Sequence, residues 1–210
     1  FLRKLSRNTW RFFEKFVGPE SHWLPPDNFQ EKPLSVIANG TSPTNMGLSL
    51  LANLAAYDFG YISTGKLIER NASTLESMMS LERFHGHFYN WYDIMLLEPM
   101  QPKYVSTVDS GNLSGHLLTL QQGMNELLDQ KILPPQAIDG FRDTLQILKD
   151  ATGAGSAPEA SLLAITHSQM IEQIDRFQAE LSSPPSTLSA ALLLLDQQMS
   201  RSGELAELVR

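Results

Sequence analysis

Apolar residues recur along this chain mostly at the three- and four-residue spacing of amphipathic helices. Leu5, Phe12, Phe13, Phe16 and Val17 can share one face of an N-terminal helix. That helix should stop at Gly18-Pro19, because proline cannot donate the next helical hydrogen bond. Residues 21–45, SHWLPPDNFQEKPLSVIANGTSPTN, have no such period and are rich in Pro, Asn and Gly. Ser42-Pro43 then reads as an N-cap followed by proline at the first helical position, opening a helix through Met46, Leu50, Leu51 and Leu54. A further helix is predicted over 63–82, with Ile68, Ala72, Leu75 and Met79 as its inward stripe.

Residues 87–108 break the pattern and suggest two extended arms around LLEPMQPK. VDSGN leads back into a helix carrying Leu117, Leu120, Met124, Leu127 and Leu128. LPPQ starts another, with Ile138, Phe141, Leu145 and Leu148 as its stripe. DATGAGSAPEAS reads as a linker whose Ser156 and Glu159 have capping-box spacing. Beyond it come a helix through Leu163, Met170, Ile174, Phe177 and Leu181, a break at SSPPST, and a last helix through Leu188, Leu192, Leu195 and Met199. The expectation is an all-α chain of about seven helices, with a short β-hairpin near 87–108 and no extensive sheet. Its long polar-aromatic loops all fall in the first 115 residues, and loops of that length in a helical domain are usually functional.

Composition narrows the function. The chain has 210 residues and a formal charge of −7, and its 16 lysines and arginines are scattered. That argues against nucleic acid, which needs a concentrated basic surface. The longest apolar run, AALLLL at 190–195, is far short of a membrane span. Cysteine is absent, so disulfides, thiol nucleophiles and Cys-ligated metals are excluded. The chain begins inside a helical pattern without an initiator methionine, as expected of a piece of a longer protein.

Four segments gather the chemistry: LPPDNFQE (24–31), NGTSPTN (39–45), HGHFYNWYD (85–93) and STVDSGN (106–112). Each joins an aspartate or asparagine to small or aromatic residues. A pyranose suits such a mixture, because its C–H faces pack on aromatic rings and its hydroxyls pair with carboxylates and amides. The same residue types also cap helices and build turns, so any one segment alone reads more simply as structural. Four such segments in one half of the chain favour a shared site. His85 and His87 lie at i and i+2, but no helical His pair or HExxH accompanies them, and a metal is not expected. Asp27, Glu31, Glu82, Asp93 and Asp109 are the carboxylates that could form a glycosidase pair, and spacing alone does not choose among them. The sequons at Asn39, Asn71 and Asn112 are discounted, and TGAGSA has no lysine after it to make a phosphate loop.

WRFFEKFV, WLPPDNFQE, TSPTNMGL, ERFHGHFYNWYD and PKYVSTVDSGNLSGHL, in this order, resemble the central glycoamylase-like region of bacterial cyclic β-1,2-glucan synthases over about residues 7–125. The resemblance implies a UDP-glucose-dependent, membrane-anchored glucosyltransferase at the cytoplasmic side of the inner membrane. Its central region, an α/α barrel of six helical hairpins, would cyclise β-1,2-glucan by transglycosylation. Residues 1–150 would form the front of that barrel, with 151–210 a further helical segment. Carried over by motif, Asp27, Asn28, Gln30, Glu31, Thr41, Ser42 and Asn45 would line the sugar site. His87, Tyr89, Asn90, Trp91, Asp93, Asp109, Ser110 and Asn112 would join them. The family's catalytic glutamates belong to later motifs, S-G-T-M-F-E and G-I-S-E-S, absent here. The implied role is therefore binding of β-1,2-glucan beside the other regions of the synthase, with no catalytic residue, metal or cofactor in this piece, which alone should be inactive. A β-1,2-glucan hydrolase of similar barrel and a non-catalytic helical interaction module are the alternatives.

Overall fold

A computed structural model describes residues 1–131, 134–153, 161–182, 185 and 187–209. Among them lie seven α-helices: α1 (Leu2–Phe16), α2 (Pro43–Asp58), α3 (Thr64–Ser80), α4 (Thr107–Glu126), α5 (Pro135–Gly153), α6 (Ser161–Glu180) and α7 (Leu188–Val209). Seven strands of two or three residues fill the loops: β1 (Asn28–Gln30), β2 (Val36–Ala38), β3 (Gly40–Thr41), β4 (Arg83–Phe84), β5 (His87–Phe88), β6 (Tyr92–Asp93) and β7 (Glu98–Pro99). The all-α expectation is borne out. The Ser156–Glu159 cap lies outside the described residues.

The helices divide between two compact units. One comprises Asn8–Asp58 and Ile62–Gln130 and carries all the strands and the polar-aromatic loops. The other comprises Phe1–Arg7, Phe59–Tyr61 and Lys131–Arg210. In this second unit α5 packs with α6. Ile138 and Leu145 of α5 are buried against Ile174, Phe177 and Leu181. Within this unit the N-terminal turn is tied down by Arg3, whose Nε donates to Asp143 Oδ2 at 2.8 Å, and the Tyr61 hydroxyl donates to the same oxygen at 3.1 Å.

In the loop-bearing unit Leu24, Met46, Leu50, Met78, Leu81, Tyr92, Ile94, Leu113 and Leu120 form the core. Helices α2 and α4 pack closely because Gly47 and Gly123 have no side chain to hold them apart. A Cβ on Gly47 would meet His116 Nδ1 at 2.4 Å, and one on Gly123 would meet Leu54 Cδ2 at 2.3 Å.

Several predicted stripes are rotated. In α1, Trp10 is buried while Leu5 is exposed. In α3, Ile68 and Met79 are exposed, and the buried face is Leu67, Arg70, Asn71, Thr74 and Met78. Hydrogen bonding explains this polar face. Arg70 Nε donates to Asn53 Oδ1 at 2.8 Å and its Nη2 to the Phe13 carbonyl at 3.0 Å. Asn53 Nδ2 donates to Asn71 Oδ1 at 2.8 Å, and Thr74 Oγ1 to the Trp23 carbonyl at 2.9 Å. The guanidinium also lies 5.0 Å from the Trp10 ring and 5.5 Å from that of Trp23. In α4, Leu117 is exposed and Leu113 takes the inward place, and Leu128, expected on the same helix, lies beyond its end and is exposed. In α5, Phe141 is likewise exposed. In α7, Leu188, Leu192 and Met199 are exposed, while Ala191 and Gln198 are buried.

The expected hairpin is two. β4 and β5 pair antiparallel around His85-Gly86, whose φ values of 49° and 87° are the positive pair that a two-residue hairpin turn demands. β6 then pairs with β7, and on its other edge with β3. The second predicted arm is cut short, because Ser106 Oγ accepts from the Asp109 amide at 3.1 Å and starts α4. A third hairpin, β1 with β2, lies in the Pro-rich stretch, where the sequence pattern predicts no element.

Candidate functional site

The first turn of α2 is the organising element. Ser42 caps it as predicted, its Oγ accepting from the Asn45 amide at 3.2 Å. The two following polar side chains hold one aspartate each. Thr44 Oγ1 donates to Asp109 Oδ1 at 2.7 Å, and Asn45 Nδ2 donates to Asp27 Oδ1 at 3.1 Å. TSPTN thus brackets two carboxylates that lie 82 positions apart in sequence. Asn28 Nδ2 donates to the other Asp27 oxygen at 2.8 Å, and Asn112 Nδ2 donates to Thr44 Oγ1 at 3.1 Å.

Asn90, buried at 7% exposure, connects Asp109 to the aromatic wall. Its Nδ2 donates to Asp109 Oδ2 at 2.8 Å, while its Oδ1 accepts from Trp91 Nε1 at 2.8 Å and from the Tyr104 hydroxyl at 2.6 Å. The reverse amide orientation would set the NH2 against the indole N–H and the amide oxygen against a carboxylate, so the neighbours fix this one. The backbone closes the same link, the Asn90 amide donating to the Tyr104 carbonyl at 2.8 Å.

Trp91, Tyr104, Asp27, Gly40 and Met100 border a hollow of about 440 Å³, closed by Ala38, Asn39, Gln101 and Pro102. Gly40 matters for its shape. A Cβ there would touch Trp91 Cε3 at 3.4 Å and Met100 Sδ at 3.5 Å, so the glycine lets the indole and the thioether lie against β3. One wall is aromatic and the other offers a carboxylate, and no lining side chain is cationic.

Burial pushes the Asp109 carboxyl up, but hydrogen bonds involving Ser106, Thr44 and Ser42 outweigh it and hold the group below the usual aspartate range. Its place in the first turn of α4 also favours negative charge. The folded-state pKa lies below the unfolded one, so this contribution to stability is complete above the ordinary aspartate range. It is lost as pH falls through that range toward the folded value. Urea midpoints should therefore drop on acidification below about pH 4, and in Asp109→Asn the drop should be smaller. An equal drop in both proteins would assign the acid sensitivity to other groups.

Of the predicted residues Asp27 and Trp91 border the hollow, Asn28, Ser42, Asn45, Asn90, Asp109 and Asn112 belong to the hydrogen-bond network beside it, and the others lie elsewhere. Thr41 is fully buried opposite Tyr92. Ser110 Oγ donates back to the Ser106 carbonyl at 2.8 Å within α4. Asp93 Oδ1 accepts from the Met95 and Leu96 amides at 2.8 and 3.1 Å, building the turn between β6 and β7. Tyr89 packs against the core, and Lys103 Nζ lies 5.3 Å from its ring. His87 is exposed on β5, and Gln30 is exposed on β1. Glu31 borders a different hollow, beside α1. Thr44 and Tyr104 belong to the site although only their motifs, and not the residues, pointed there. Tyr92, neighbour of Trp91, is core. Its hydroxyl donates to the Glu82 carbonyl and accepts from the Tyr89 amide, both at 2.7 Å, and burial pushes its pKa up to about 12. Among the described residues no three metal-ligating side chains converge, and no helix is long and apolar enough to cross a membrane.

The loop-bearing unit is thus of the class in which helices support loops that gather carboxylates, amides and aromatic rings around an open hollow. Its sequence places it further. The chain is 45% identical over 151 residues to the cyclic beta-(1,2)-glucan synthase NdvB of Rhizobium meliloti (strain 1021). The match covers 71% of this chain and 5% of that protein. The chain is therefore similar in sequence to a small part of a cyclic β-(1,2)-glucan synthase, as its motifs imply. A solved glucoamylase-like protein from Bacteroides fragilis NCTC 9343 is similar at a TM-score of 0.40 and 17% identity, over 80% of this chain and 33% of that one. No family model matches.

Proposed function

We propose that this chain supplies sugar-binding loops to the transglycosylation and cyclisation region of a cyclic β-1,2-glucan synthase, and that its ligand is β-1,2-glucan. A hollow bordered by Asp27, Trp91 and Tyr104, with a hydrogen-bond network through the first turn of α2 tying Asp27 to Asp109 and Asn90, carries the reading. The similarity to a synthase of that glucan supports it. Trp91 offers an apolar face to a pyranose ring, and Asp27, Asn45 and Asn28 offer acceptors and donors to its hydroxyls. The complete barrel, the use of UDP-glucose by another region, and a place at the cytoplasmic face of the bacterial inner membrane belong to the same proposal.

Bond making and breaking is assigned elsewhere. A retaining transfer needs a nucleophile and an acid/base across the scissile bond. Asp109, held ionised by its donors, is not a general acid at neutral pH. The chain alone should bind linear β-1,2-glucan without shortening, lengthening or cyclising it.

Titration calorimetry tests the binding. Trp91→Ala should weaken β-1,2-glucan affinity by about tenfold, since one stacked ring is worth on the order of 1 kcal/mol. Its circular dichroism should stay helical. A variant that binds like the parent chain would move the site away from this hollow.

A further inference from the structure

Glu31 closes the motif WLPPDNFQE, yet it does not border the Asp27–Trp91 hollow. It borders a second hollow of about 460 Å³ between α1 and β1, together with Asn8, Arg11, Phe12, Phe16 and Phe29. Three half-buried rings make its floor. Phe16 lies 5.3 Å from Phe12 and 4.7 Å from Phe29, centroid to centroid. The rim is exposed and polar, and among the described residues the side chains of Asn8, Arg11 and Glu31 hold no hydrogen-bond or ion-pair partner. An amide, a guanidinium and a carboxylate standing unengaged around an aromatic floor repeat the chemistry of the first hollow with different residues.

Strand geometry links the two. Asp27 lies one residue before β1, Phe29 within it and Glu31 one residue beyond it, so one short segment carries all three. The Asp27 amide continues the β1–β2 ladder by donating to the Ala38 carbonyl at 3.1 Å. Asp27 serves the first hollow, while Phe29, roughly 7 Å further along the strand, serves the second. One nine-residue motif thus feeds both.

We propose that the α1–β1 hollow is a second glucan contact, which holds a more distant stretch of the same β-1,2-linked chain that occupies the first. This rests on the reading of the Asp27–Trp91 hollow as a glucan site. Lys15, whose Nζ lies 5.0 Å from the Phe16 ring and 5.3 Å from that of Phe29, caps the floor and would swing aside or donate to a hydroxyl as the sugar enters. Contacts of this kind act through length. A short oligomer reaches one hollow, and a longer one reaches both, the second engagement being intramolecular and therefore strengthened by effective concentration.

The test is calorimetric titration of the 210-residue chain with linear β-1,2-linked glucose oligomers of increasing length. Arg11→Ala and Glu31→Gln are the variants, both on exposed side chains whose loss should leave the fold intact. The expected result is affinity that rises tenfold or more once the oligomer can span both hollows. Each variant should lose most of that rise while binding the shortest oligomer like the parent chain. If both variants keep the full rise, or if affinity does not depend on length, the second contact is overturned and the first stands. If no oligomer of any length binds, the glucan reading of the first hollow falls, and this inference with it.

Discussion

Replacing Asn90 by alanine should cost at least tenfold in β-1,2-glucan affinity and about 1–3 kcal/mol of stability, although Asn90 itself is buried behind the wall. One amide serves three partners, the Asp109 carboxylate, the Trp91 indole and the Tyr104 hydroxyl. Its removal leaves an ionised acceptor and two donors short of a bond in a part-buried setting. The indole and phenol rings then lose the common anchor that fixes their angle to the hollow. Asn90→Asp is the sharper variant, since it preserves size while setting a second carboxylate against Asp109. Like charges at hydrogen-bonding distance repel, so one of the pair should keep its proton to a higher pH than an isolated aspartate does. Its glucan affinity should therefore improve as pH is lowered toward the aspartate range. Affinity unchanged in both variants would show that Trp91 and Tyr104 are held by packing alone.

A second large effect belongs to the fold. Arg70 is buried between two tryptophan rings and donates to Asn53 and to the end of α1. Burial pulls its pKa down, an effect opposed by Glu14 and Glu69, and the side chain remains a cation over two π-faces. Arg70→Met should lower the unfolding free energy by about 3 kcal/mol, the sum expected for a desolvated cation–π contact and charge-assisted hydrogen bonds. Arg70→Lys should recover little, since an ammonium cannot stack on the rings and span two acceptors as a planar guanidinium does. Urea unfolding followed by the fluorescence of Trp10 and Trp23 reads both variants directly. A loss below about 1 kcal/mol in Arg70→Met would mean that the network is dispensable and that apolar contacts hold α3.

Those two residues also mark where the sequence could and could not be read. Helix existence and most helix ends followed from local chemistry. Ser42-Pro43 starts α2 and Gly18-Pro19 follows α1, because caps and prolines act on their own neighbours. The inward face of α3 did not follow. Its apolar stripe, Ile68, Ala72 and Met79, suggested one face, but Arg70, Asn71 and Thr74 found buried partners on α2, α1 and the following loop. A period of apolar residues cannot reveal hydrogen bonds formed across 17 or 51 positions. In α4, α5 and α7 the leucines and phenylalanines outnumber what the inward face holds, so counting them could not fix its angle.

The site was legible at the level of segments more than of side chains. All four polar-aromatic stretches contribute, and Asp27, Asn45, Asn90, Trp91, Asp109 and Asn112 are brought together. Asp93 shows the difficulty. An aspartate two residues after a tryptophan looks the same whether it meets a sugar or two turn amides, and here it meets the amides. Thr44 and Tyr104 were hidden for the opposite reason. Each sat inside a quoted motif, but their roles depend on which acid or amide the fold sets beside them.

The three tryptophans serve as separate reporters of sugar binding. In a proton–nitrogen correlation spectrum of the chain, the indole N–H resonances of Trp10, Trp23 and Trp91 can be assigned by replacing each with phenylalanine. On titration with linear β-1,2-glucan, the Trp91 signal should shift saturably, while that of buried Trp10 stays in place. Titration with a β-1,4-linked glucan of similar length should move Trp91 less. A spectrum in which Trp91 does not respond to β-1,2-glucan at any concentration would contradict the assignment of this hollow as the sugar site.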